Sequence, residues 1–367
     1  MSMPAEEKTP QSNLNSSGDS PLPDSSALWR ILDAAANRAA EGLRVVEDYA
    51  RLGLDDTHLT TQLKRLRHDL KAALAHLPQS QRLAARDTAA DVGTTVKTDA
   101  ELVRTDLASV VLAGWKRTQQ GLRTLEEYGK LVDARFAQLC ETLRYRTYTL
   151  ERALDITGTS RERLAGARLY VLLAGGHSAE AFTQLARTLV EAGVHVIQLR
   201  DKQLADRELL ARARLLRDIT KSSETLFIMN DRPDLAVLSQ ADGVHVGQEE
   251  LSVKDVRAIV GTNMLIGVST HSIEQARAAV LDGANYIGSG PTFPSTTKQF
   301  DAFPGLEFAA AVAREITLPA FAIGGITLEN LSQVQAAGIK RVAVSAAITD
   351  ANDPAATVKR FLRKLDA

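Results

Sequence analysis

The sequence has very little cysteine and no long apolar run. Cys140 is the only cysteine among 367 residues, so an intramolecular disulfide and a multi-cysteine metal site are both excluded. No stretch approaches the roughly 18 consecutive apolar residues of a membrane-spanning helix, and the N-terminus lacks the apolar segment of a signal peptide. These absences predict a soluble protein of the reducing cytoplasm with no membrane partner.

An excess of basic charge is also missing. The sequence has 44 Lys and Arg against 45 Asp and Glu, a formal net charge of −1. Neither half has the basic surplus that is typical of a nucleic-acid-binding protein. The apolar fraction of 44% and the charged fraction of 24% are those of a globular protein. A globular chain of this length is predicted to form two domains.

Proline and glycine are scarce in one part of the chain and frequent in another. Residues 1–26 contain four prolines and seven serines, which predicts a disordered tail. Residues 27–155 contain one proline, Pro78, and six glycines, which predicts a helical domain. Residues 156–367 contain six prolines and sixteen glycines, which is typical of many short elements joined by turns.

The helical part contains an internal repeat. Residues 37–52 match residues 116–131, with Arg, Gly, Leu, Arg, Glu, Tyr and Leu at corresponding positions. A second helical stretch follows each copy, so we expect two related helical hairpins. Because glycine inside a helix costs about 1 kcal/mol relative to alanine, we expect Gly42 and Gly121 to let two helices cross closely about a pseudo-two-fold axis. The shared Arg and Glu residues indicate either surface ion pairs at i,i+3 spacing or a ligand site.

The C-terminal part alternates short apolar strands with helices at a period of about 25 residues. Eight such units predict a (β/α)8 TIM barrel, and no glycine-rich GxGxxG turn supports an open doubly wound sheet. The predicted strands are Arg168–Ala174, His195–Arg200, Leu226–Asn230, Gly243–Val246, Leu265–Ser269, Tyr286–Ser289, Ala320–Gly324 and Arg341–Ser345. The fold is therefore expected to be an α/β barrel preceded by an all-α domain.

Polar residues follow several predicted strands, at the end where a barrel has its active site. Alternation places Gln198, Arg200 and Lys202 on one side of the second strand's end. Asp231 follows the third strand and Glu250 lies beyond the fourth, and such carboxylates suit Mg²⁺ shared with substrate phosphates. The histidines at positions 177, 195 and 271 have no metal-ligand spacing, so a zinc site is not expected. A histidine inside a strand, such as the one at position 245, is expected to be packed rather than to bind a ligand.

The other side of the mouth is predicted to hold phosphate. The long loop after the sixth strand carries Ser295, Thr297 and Lys298, which suit capture of a phosphate. Backbone amides after the seventh and eighth strands, at 324–325 and 344–345, lie where barrel enzymes bind phosphate. Two anion sites imply two phosphorylated groups. One is expected to be a diphosphate that departs with help from Arg, Lys and Mg²⁺.

These motifs, in this order, resemble those of the thiamine phosphate synthase family. They are QLRDK at 198–202, ND at 230–231, GVHVGQE at 243–249, GPTFPSTTK at 290–298, IGGI at 323–326 and VS at 344–345. The resemblance covers about Leu169 to the C-terminus. It implies that hydroxymethylpyrimidine diphosphate is joined to hydroxyethylthiazole phosphate, with loss of diphosphate. In this family the bond to diphosphate breaks first, and the thiazole nitrogen attacks the resulting pyrimidine cation.

The resemblance also implies a role for each residue at a matching position. Three groups are expected. The pyrimidine diphosphate would be held by Gln198, Arg200, Lys202, Asn230 and Lys298, with Ser269 in contact. Mg²⁺ would be bound by Asp231 and Glu250. The thiazole phosphate would be held by Ser295, Thr297, Gly325, Val344 and Ser345.

The sequence departs from the usual family pattern at three places. Glu250 stands where aspartate is commoner, so its carboxylate reaches one methylene further. Ser295 replaces a threonine and keeps the hydroxyl. The first strand ends in Leu172-Leu173-Ala174 where the family usually has a polar Thr-Asp, which puts a contribution from the end of this strand in doubt.

The helical part resembles an accessory domain found upstream of some of these synthases and sometimes labelled a pyrimidine-phosphate kinase. It has no GxxxxGK[ST] loop or other glycine-rich phosphate cradle. The sequence leaves its role open between oligomerisation and an adjacent pathway step. For the whole chain two other functions also stay open: a thiazole-modifying relative on the same barrel, and a non-catalytic sensor of a phosphorylated ligand.

Overall fold

The structure, a computed structural model, describes residues 25–89, 91–94, 103–294 and 304–366. It confirms a helical region followed by a closed barrel of eight parallel strands. Residues 1–24 of the predicted tail lie outside the described residues, whereas Ser25 and Ser26 begin the first helix. Within the described ranges, no helix is long and apolar enough to cross a membrane.

The helical region forms the two expected hairpins. Its elements are α1 (Ser25–Asp48) with a π-helical turn at Tyr49–Gly53, α2 (Thr57–Leu74), α3 (Gln79–Ala84), a 3-10 turn (Val92–Thr94), α4 (Leu107–Gly129) and α5 (Ala134–Arg163). Aspartates begin three of these helices because their carboxylates accept hydrogen bonds from the first free N–H groups. They are Asp56, Asp106 and Asp133.

The repeat produces a reciprocal helix crossing. A Cβ atom at Gly42 would lie 2.5 Å from the carbonyl oxygen of Gly114 and 2.5 Å from Thr118 Oγ1. A Cβ at Gly121 would lie 2.9 Å from the carbonyl oxygen of Ala35 and 3.1 Å from Ala39 Cβ. Each glycine therefore faces the repeat equivalents of the residues that the other glycine faces. The predicted close crossing about a pseudo-two-fold axis is confirmed.

The repeated Arg and Glu residues do form ion pairs at i,i+3 spacing, but the carboxylates are buried. Glu47 is paired with Arg44 and also with Arg67 from α2. Its equivalent Glu126 is paired with Arg123 and also with Arg144 from α5. The second arginine in each set comes from the next helix, so these pairs fasten each hairpin together. These residues were expected to form either surface ion pairs or a ligand site. The structure shows ion pairs, and their carboxylates are buried.

The barrel strands lie within about one residue of the predicted bounds. They are β1 (Leu169–Leu173), β2 (Val196–Leu199), β3 (Leu226–Asn230), β4 (Gly243–Val246), β5 (Leu265–Thr270), β6 (Tyr286–Ser289), β7 (Ala320–Ile323) and β8 (Val342–Val344). The outer helices are α6 (Ala179–Glu191), α7 (Asp206–Thr220), α8 (Pro233–Leu238), α9 (Val253–Val260), α10 (Ile273–Asp282), α11 (Gly305–Glu315), α12 (Leu331–Ala336), α13 (Ala346–Thr349) and α14 (Pro354–Asp366). Strand β1 pairs with both β2 and β8, which closes the barrel.

Strand alternation divides the barrel residues between two apolar clusters. Inward-facing side chains fill the barrel, and outward-facing side chains pack against the helices. The inner cluster contains Tyr170, Val196, Ile228, Leu265, Tyr286, Phe321 and Ala343. Phe321 packs edge-on against both tyrosine rings, at centroid distances of 5.2 and 5.7 Å. The phenol groups therefore have fixed positions below the barrel mouth.

Helix α5 joins the helical region to the barrel without a break. It continues across the boundary predicted between residues 155 and 156 and ends at Arg163. Near its end, Ser160 Oγ accepts a hydrogen bond from Asn285 Nδ2, and the carbonyl oxygen of Leu164 accepts one from Arg341. Asn285 and Arg341 immediately precede β6 and β8. Helix α5 therefore meets the barrel at the N-terminal ends of its strands, opposite the mouth.

Candidate active site

Strand β2 delivers three polar side chains to the mouth, as its alternation predicted. Gln198 is buried inside the barrel, and its Nε2 donates to the hydroxyl of Tyr170 at 2.7 Å. Arg200 is half-buried, and its guanidinium makes no hydrogen bond or ion pair to any other described residue. Lys202 is exposed and reaches the ends of the next two strands. Two cations and an amide thus line one side of the mouth.

Lys202 lies between the two carboxylates that were predicted to bind a metal. Its Nζ is 3.0 Å from Asp231 Oδ2 and 3.6 Å from Glu250 Oε1. The hydrogen bond with Asp231 raises the pKa of Lys202, so the ammonium stays charged. Asn230 Nδ2 donates to the same oxygen of Asp231 at 2.7 Å. Two residues that were predicted to hold the pyrimidine diphosphate, Lys202 and Asn230, therefore meet the two carboxylates that were predicted to bind Mg²⁺.

The two carboxylates of this corner are placed differently, one by its own backbone conformation and the other by the space over a glycine. Asp231 has a φ of 58°, a left-handed conformation that few residues adopt, and its N–H donates to the carbonyl oxygen of His245 at 2.8 Å. The carboxylate of Glu250 folds back over Gly247, where a Cβ atom would lie 2.3 Å from Glu250 Oε2. The longer side chain of Glu250 is thus accommodated by a glycine three residues earlier.

The donor set of this corner fits Mg²⁺. Two carboxylates already gather around one positive charge, the Lys202 ammonium. Mg²⁺ is commonly bound through one or two carboxylates together with substrate phosphates and water. Within the described ranges, no group of three or more His, Cys, Asp or Glu could hold a metal ion alone. A pair of carboxylates such as Asp231 and Glu250 matches the number that a protein commonly supplies to Mg²⁺ when substrate phosphates and water supply the rest.

Asp201 holds the loops on either side of this corner and was not predicted from the sequence. Its Oδ1 accepts from the backbone N–H groups of Gln203 and Leu204, and its Oδ2 accepts from that of Gly175 after β1. Burial raises the pKa of this carboxyl, but the three backbone donors outweigh burial and lower it. Its place between Arg200 and Lys202 in the motif is the signal that could have identified it.

A row of five polar side chains crosses the barrel below the mouth, and we call it the floor row. Its members are Gln198, Tyr170, Tyr286, His245 and Ser269. Beyond the bond between Gln198 and Tyr170, the two tyrosine hydroxyls are 3.1 Å apart. His245 Nδ1 lies 3.3 Å from the Tyr286 hydroxyl, and His245 Nε2 lies 2.9 Å from Ser269 Oγ. The row joins two residues that were predicted to contact the pyrimidine.

Three members of this row, Tyr170, His245 and Tyr286, were not predicted to belong to the site. His245 was expected to be merely packed, but both of its ring nitrogens are hydrogen-bonded. Burial lowers the pKa of His245 to about 4. The nearby Asp231 carboxylate raises this pKa, and the Arg200 guanidinium lowers it. The end of strand β1 left a contribution from this strand in doubt, and Tyr170, earlier on the same strand, accepts a hydrogen bond from Gln198. These three residues could have been found from the sequence, because strand alternation points Tyr170, His245 and Tyr286 into the barrel.

The structure describes part of the predicted phosphate side of the mouth. Gly325 has a φ of 63°, and a Cβ there would lie 2.6 Å from the carbonyl oxygen of Pro294. Phe293 N–H donates to the carbonyl oxygen of Gly324 at 3.0 Å. The loop after β6 is thus fastened to the turn after β7. Glycine is required at position 325 by both its conformation and this close approach.

The remaining predicted residues of this side differ in what the structure describes. Ser345 is exposed at the end of β8, and its Oγ donates to the carbonyl oxygen of Leu172 at 3.0 Å. Val344 is buried, so its backbone rather than its side chain would face a ligand. Ser295, Thr297 and Lys298 lie outside the described residues. Their predicted contacts with phosphate stay predictions.

Comparisons with known proteins match both parts of the chain. Residues 169–348 match the family model described as thiamine monophosphate synthase, and residues 30–153 match the ThiD2 family. A thiamine-phosphate synthase of Rhodopirellula baltica is 51% identical over 334 residues, which are 89% of this chain and 89% of the relative. One of Gloeobacter violaceus is 43% identical and covers 92% of this chain and 97% of its own length.

A solved structure resembles the barrel. It is a thiamine phosphate pyrophosphorylase from Pyrococcus furiosus, which is 30% identical with a TM-score of 0.50. The match covers 55% of this chain and 96% of the solved chain. The full-length relatives therefore contain both parts of this chain, whereas the solved relative corresponds to the barrel.

Proposed function

Because the chain belongs to the thiamine-phosphate synthase family, we propose that it makes thiamine phosphate from hydroxymethylpyrimidine diphosphate and hydroxyethylthiazole phosphate with the help of Mg²⁺. The observation that best supports these substrates is the corner where Lys202 meets Asp231 and Glu250 beside Arg200. A diphosphate needs several cationic partners, and this corner provides them at the end of the barrel where substrates bind. Family membership favours this synthase over a phosphate-ligand sensor or a thiazole-modifying relative.

In the proposed reaction, the bond between the pyrimidine methylene carbon and the diphosphate oxygen breaks first. Its electron pair leaves with the diphosphate, and the thiazole nitrogen donates a lone pair to the resulting cation. Arg200 and Lys202, with Lys298, hold the diphosphate and stabilise its growing charge. Bound Mg²⁺ would supply further positive charge to the leaving oxygens. Asp231 and Glu250 are the residues that would hold the ion.

The two heterocycles are assigned to different walls of the mouth. Gln198, Asn230 and Ser269, on strands β2, β3 and β5, would orient the pyrimidine. Ser295, Thr297, Gly325, Val344 and Ser345 would hold the thiazole phosphate on the opposite side. The polar ends of β2 to β4 and the amide-rich ends of β7 and β8 lie across the barrel from each other. This placement supports an attack of one bound substrate on the other.

The helical part is proposed to be a separate domain of residues 27–155, after a tail at 1–26 and before the barrel domain at 156–367. Its role stays open between assembly of a homo-oligomer and an adjacent pathway step. Sedimentation of the full chain tests assembly. A single species with the mass of one chain at all concentrations would contradict it.

The reaction is tested by incubating the full chain with both phosphorylated precursors and Mg²⁺. Thiamine phosphate and diphosphate should form in equal amounts. Neither product should form when either precursor is omitted, and chelation of Mg²⁺ should slow the reaction. Absence of thiamine phosphate, with circular dichroism showing a folded protein, would contradict the proposed substrates.

A further inference from the structure

The floor row has a direction, which follows from counting its hydrogen atoms. The side-chain nitrogen of Gln198 can only donate, so the oxygen of Tyr170 accepts. Tyr170 then has one hydrogen, and the only neighbouring acceptor for it among the described residues is the oxygen of Tyr286, 3.1 Å away. Because both hydroxyls are buried, leaving either hydrogen without an acceptor would cost free energy.

The same donor-to-acceptor order continues through His245. Tyr286 has accepted from Tyr170, so its own hydrogen points to His245 Nδ1. An imidazole that accepts at Nδ1 carries its hydrogen on Nε2. Nε2 then donates to Ser269 Oγ at 2.9 Å. The hydrogen of the Ser269 hydroxyl is therefore not used within the row.

We infer that Tyr286 and His245 are positioning residues that make Ser269 a hydrogen-bond donor toward the substrate. The inference rests on the proposed function and deepens it. Ser269 would require an acceptor atom, such as a pyrimidine ring nitrogen, on the group bound above it. A serine without such a partner can present either its hydrogen or its lone pairs. The floor row leaves Ser269 only as a donor. The site would therefore favour a heterocycle that presents a hydrogen-bond acceptor at this position.

Packing holds the row in place. A Cβ atom at Gly267 would lie 2.1 Å from Tyr286 Cζ and 2.5 Å from His245 Nδ1. Glycine at this position on β5 therefore makes the space in which the phenol and the imidazole meet. On the other side, Phe321 packs edge-on against Tyr286. Replacing a tyrosine of the row by phenylalanine should remove the hydroxyl without moving the ring.

The hydrogen position on His245 can be measured in the full chain without substrate. Nitrogen-15 NMR distinguishes a ring nitrogen that carries hydrogen from one that does not, and a His245→Gln sample identifies the signal. We expect hydrogen on Nε2 in the wild type. Tyr286→Phe should produce a mixture of both tautomers, because Nδ1 loses its donor. Tyr170→Phe is the matched control and should leave the hydrogen on Nε2.

Kinetics then test whether the row acts through Ser269. Ser269→Ala should raise KM for the pyrimidine diphosphate by about tenfold, the worth of one hydrogen bond. Tyr286→Phe should raise it by a similar factor, whereas the KM for the thiazole phosphate should change less than about twofold. Adding Tyr286→Phe to Ser269→Ala should have no further effect on the pyrimidine KM, since contacting residues are not additive.

A substitution at the histidine provides a rescue. Glutamine can donate from Nε2 and accept at Oε1, so His245→Gln should retain more pyrimidine affinity than His245→Leu, by about threefold or more. Hydrogen on Nδ1 in the wild type would overturn the inference, and so would independent effects of Tyr286→Phe and Ser269→Ala. If the wild type made no thiamine phosphate, the proposed function would be wrong. The tautomer measurement needs no substrate, so it would still test the direction of the hydrogen bonds in the floor row.

Discussion

Asp56 and Thr317 connect the helical part to the barrel through two hydrogen bonds. Asp56 Oδ2 accepts from the backbone N–H of Thr317 at 3.1 Å and from its hydroxyl at 2.7 Å. The other carboxylate oxygen accepts from Leu59 N–H at 2.6 Å and caps helix α2. The residue is buried, so one carboxylate both starts a helix and fastens two regions together.

Asp56→Ala is therefore expected to lower the free energy of unfolding by about 2–4 kcal/mol, the sum of a helix cap and hydrogen bonds to a buried charge. Urea denaturation followed by circular dichroism measures the loss. Asp133→Ala is the matched control, because Asp133 caps α5 and bonds to no described residue of the barrel, and it should cost about 1 kcal/mol. Equal losses in the two variants would show that the bonds to Thr317 contribute nothing.

Gly42→Ala is expected to destabilise the crossing of α1 and α4. The added methyl group would lie 2.5 Å from a backbone oxygen, and overpacking of this kind costs about 1–3 kcal/mol. Gly158→Ala is the control within a helix, because its nearest neighbour would be the Tyr49 hydroxyl at 3.5 Å. That change should be neutral or stabilise the protein by up to about 1 kcal/mol. Thermal melting of both variants compares them, and a stable Gly42→Ala protein would contradict the close crossing.

Asp231→Asn is expected to reduce kcat/KM by about 100-fold or more, because it removes one carboxylate of the proposed Mg²⁺ pair and leaves the Lys202 ammonium with one partner. The Mg²⁺ concentration for half-maximal rate should also rise. Asp234→Asn is the control, since this carboxylate pairs with Arg232 at the start of α8 rather than with Lys202. Its turnover should stay near that of the wild type. A normal Mg²⁺ dependence in Asp231→Asn would remove Asp231 from the metal site.

His58 should make the protein less stable in mild acid. The side chain is buried at the base of α2, and its Nε2 has no hydrogen-bond partner among the described residues. Burial lowers its pKa below 6.5, Asp56 and Glu315 raise it, and Arg277 and Arg65 lower it. The folded protein therefore binds fewer protons here than the unfolded chain does. Its stability contribution is full above about pH 6.5 and is lost as the pH falls.

The measurement is the free energy of unfolding between pH 7 and pH 5. One proton accounts for at most about 1.4 kcal/mol per pH unit. His58→Gln should make the dependence less steep, whereas substitution of the exposed His68 by glutamine should leave it unchanged. An equal slope in wild type and His58→Gln would show that His58 does not take up a proton on unfolding.

The barrel was predictable because local patterns determine most of it. Strands such as Leu226–Asn230 and Gly243–Val246 are short apolar runs bounded by turn residues, and the structure gives them the same bounds. Alternation also placed Gln198, Arg200 and Lys202 on one side of β2. Gly42 and Gly121 were informative because a glycine inside a helix is costly unless another backbone approaches it.

The contacts between distant strands were not predictable in the same way. Tyr170 and Tyr286 are 116 residues apart, and their hydroxyls meet only because the closed barrel points both rings inward. The position of Lys202 between Asp231 and Glu250 likewise depends on the register of three strands. The continuation of α5 across residues 155 and 156 was hidden because the sequence there, with Gly158, resembles a linker.

Helix α5 also bears on how small molecules could move between the two parts of this protein. Its 30 residues extend for about 45 Å and end at the face of the barrel opposite Lys202. A compound that left the helical part beside the end of α5 would therefore emerge at the face of the barrel opposite the mouth of the same chain.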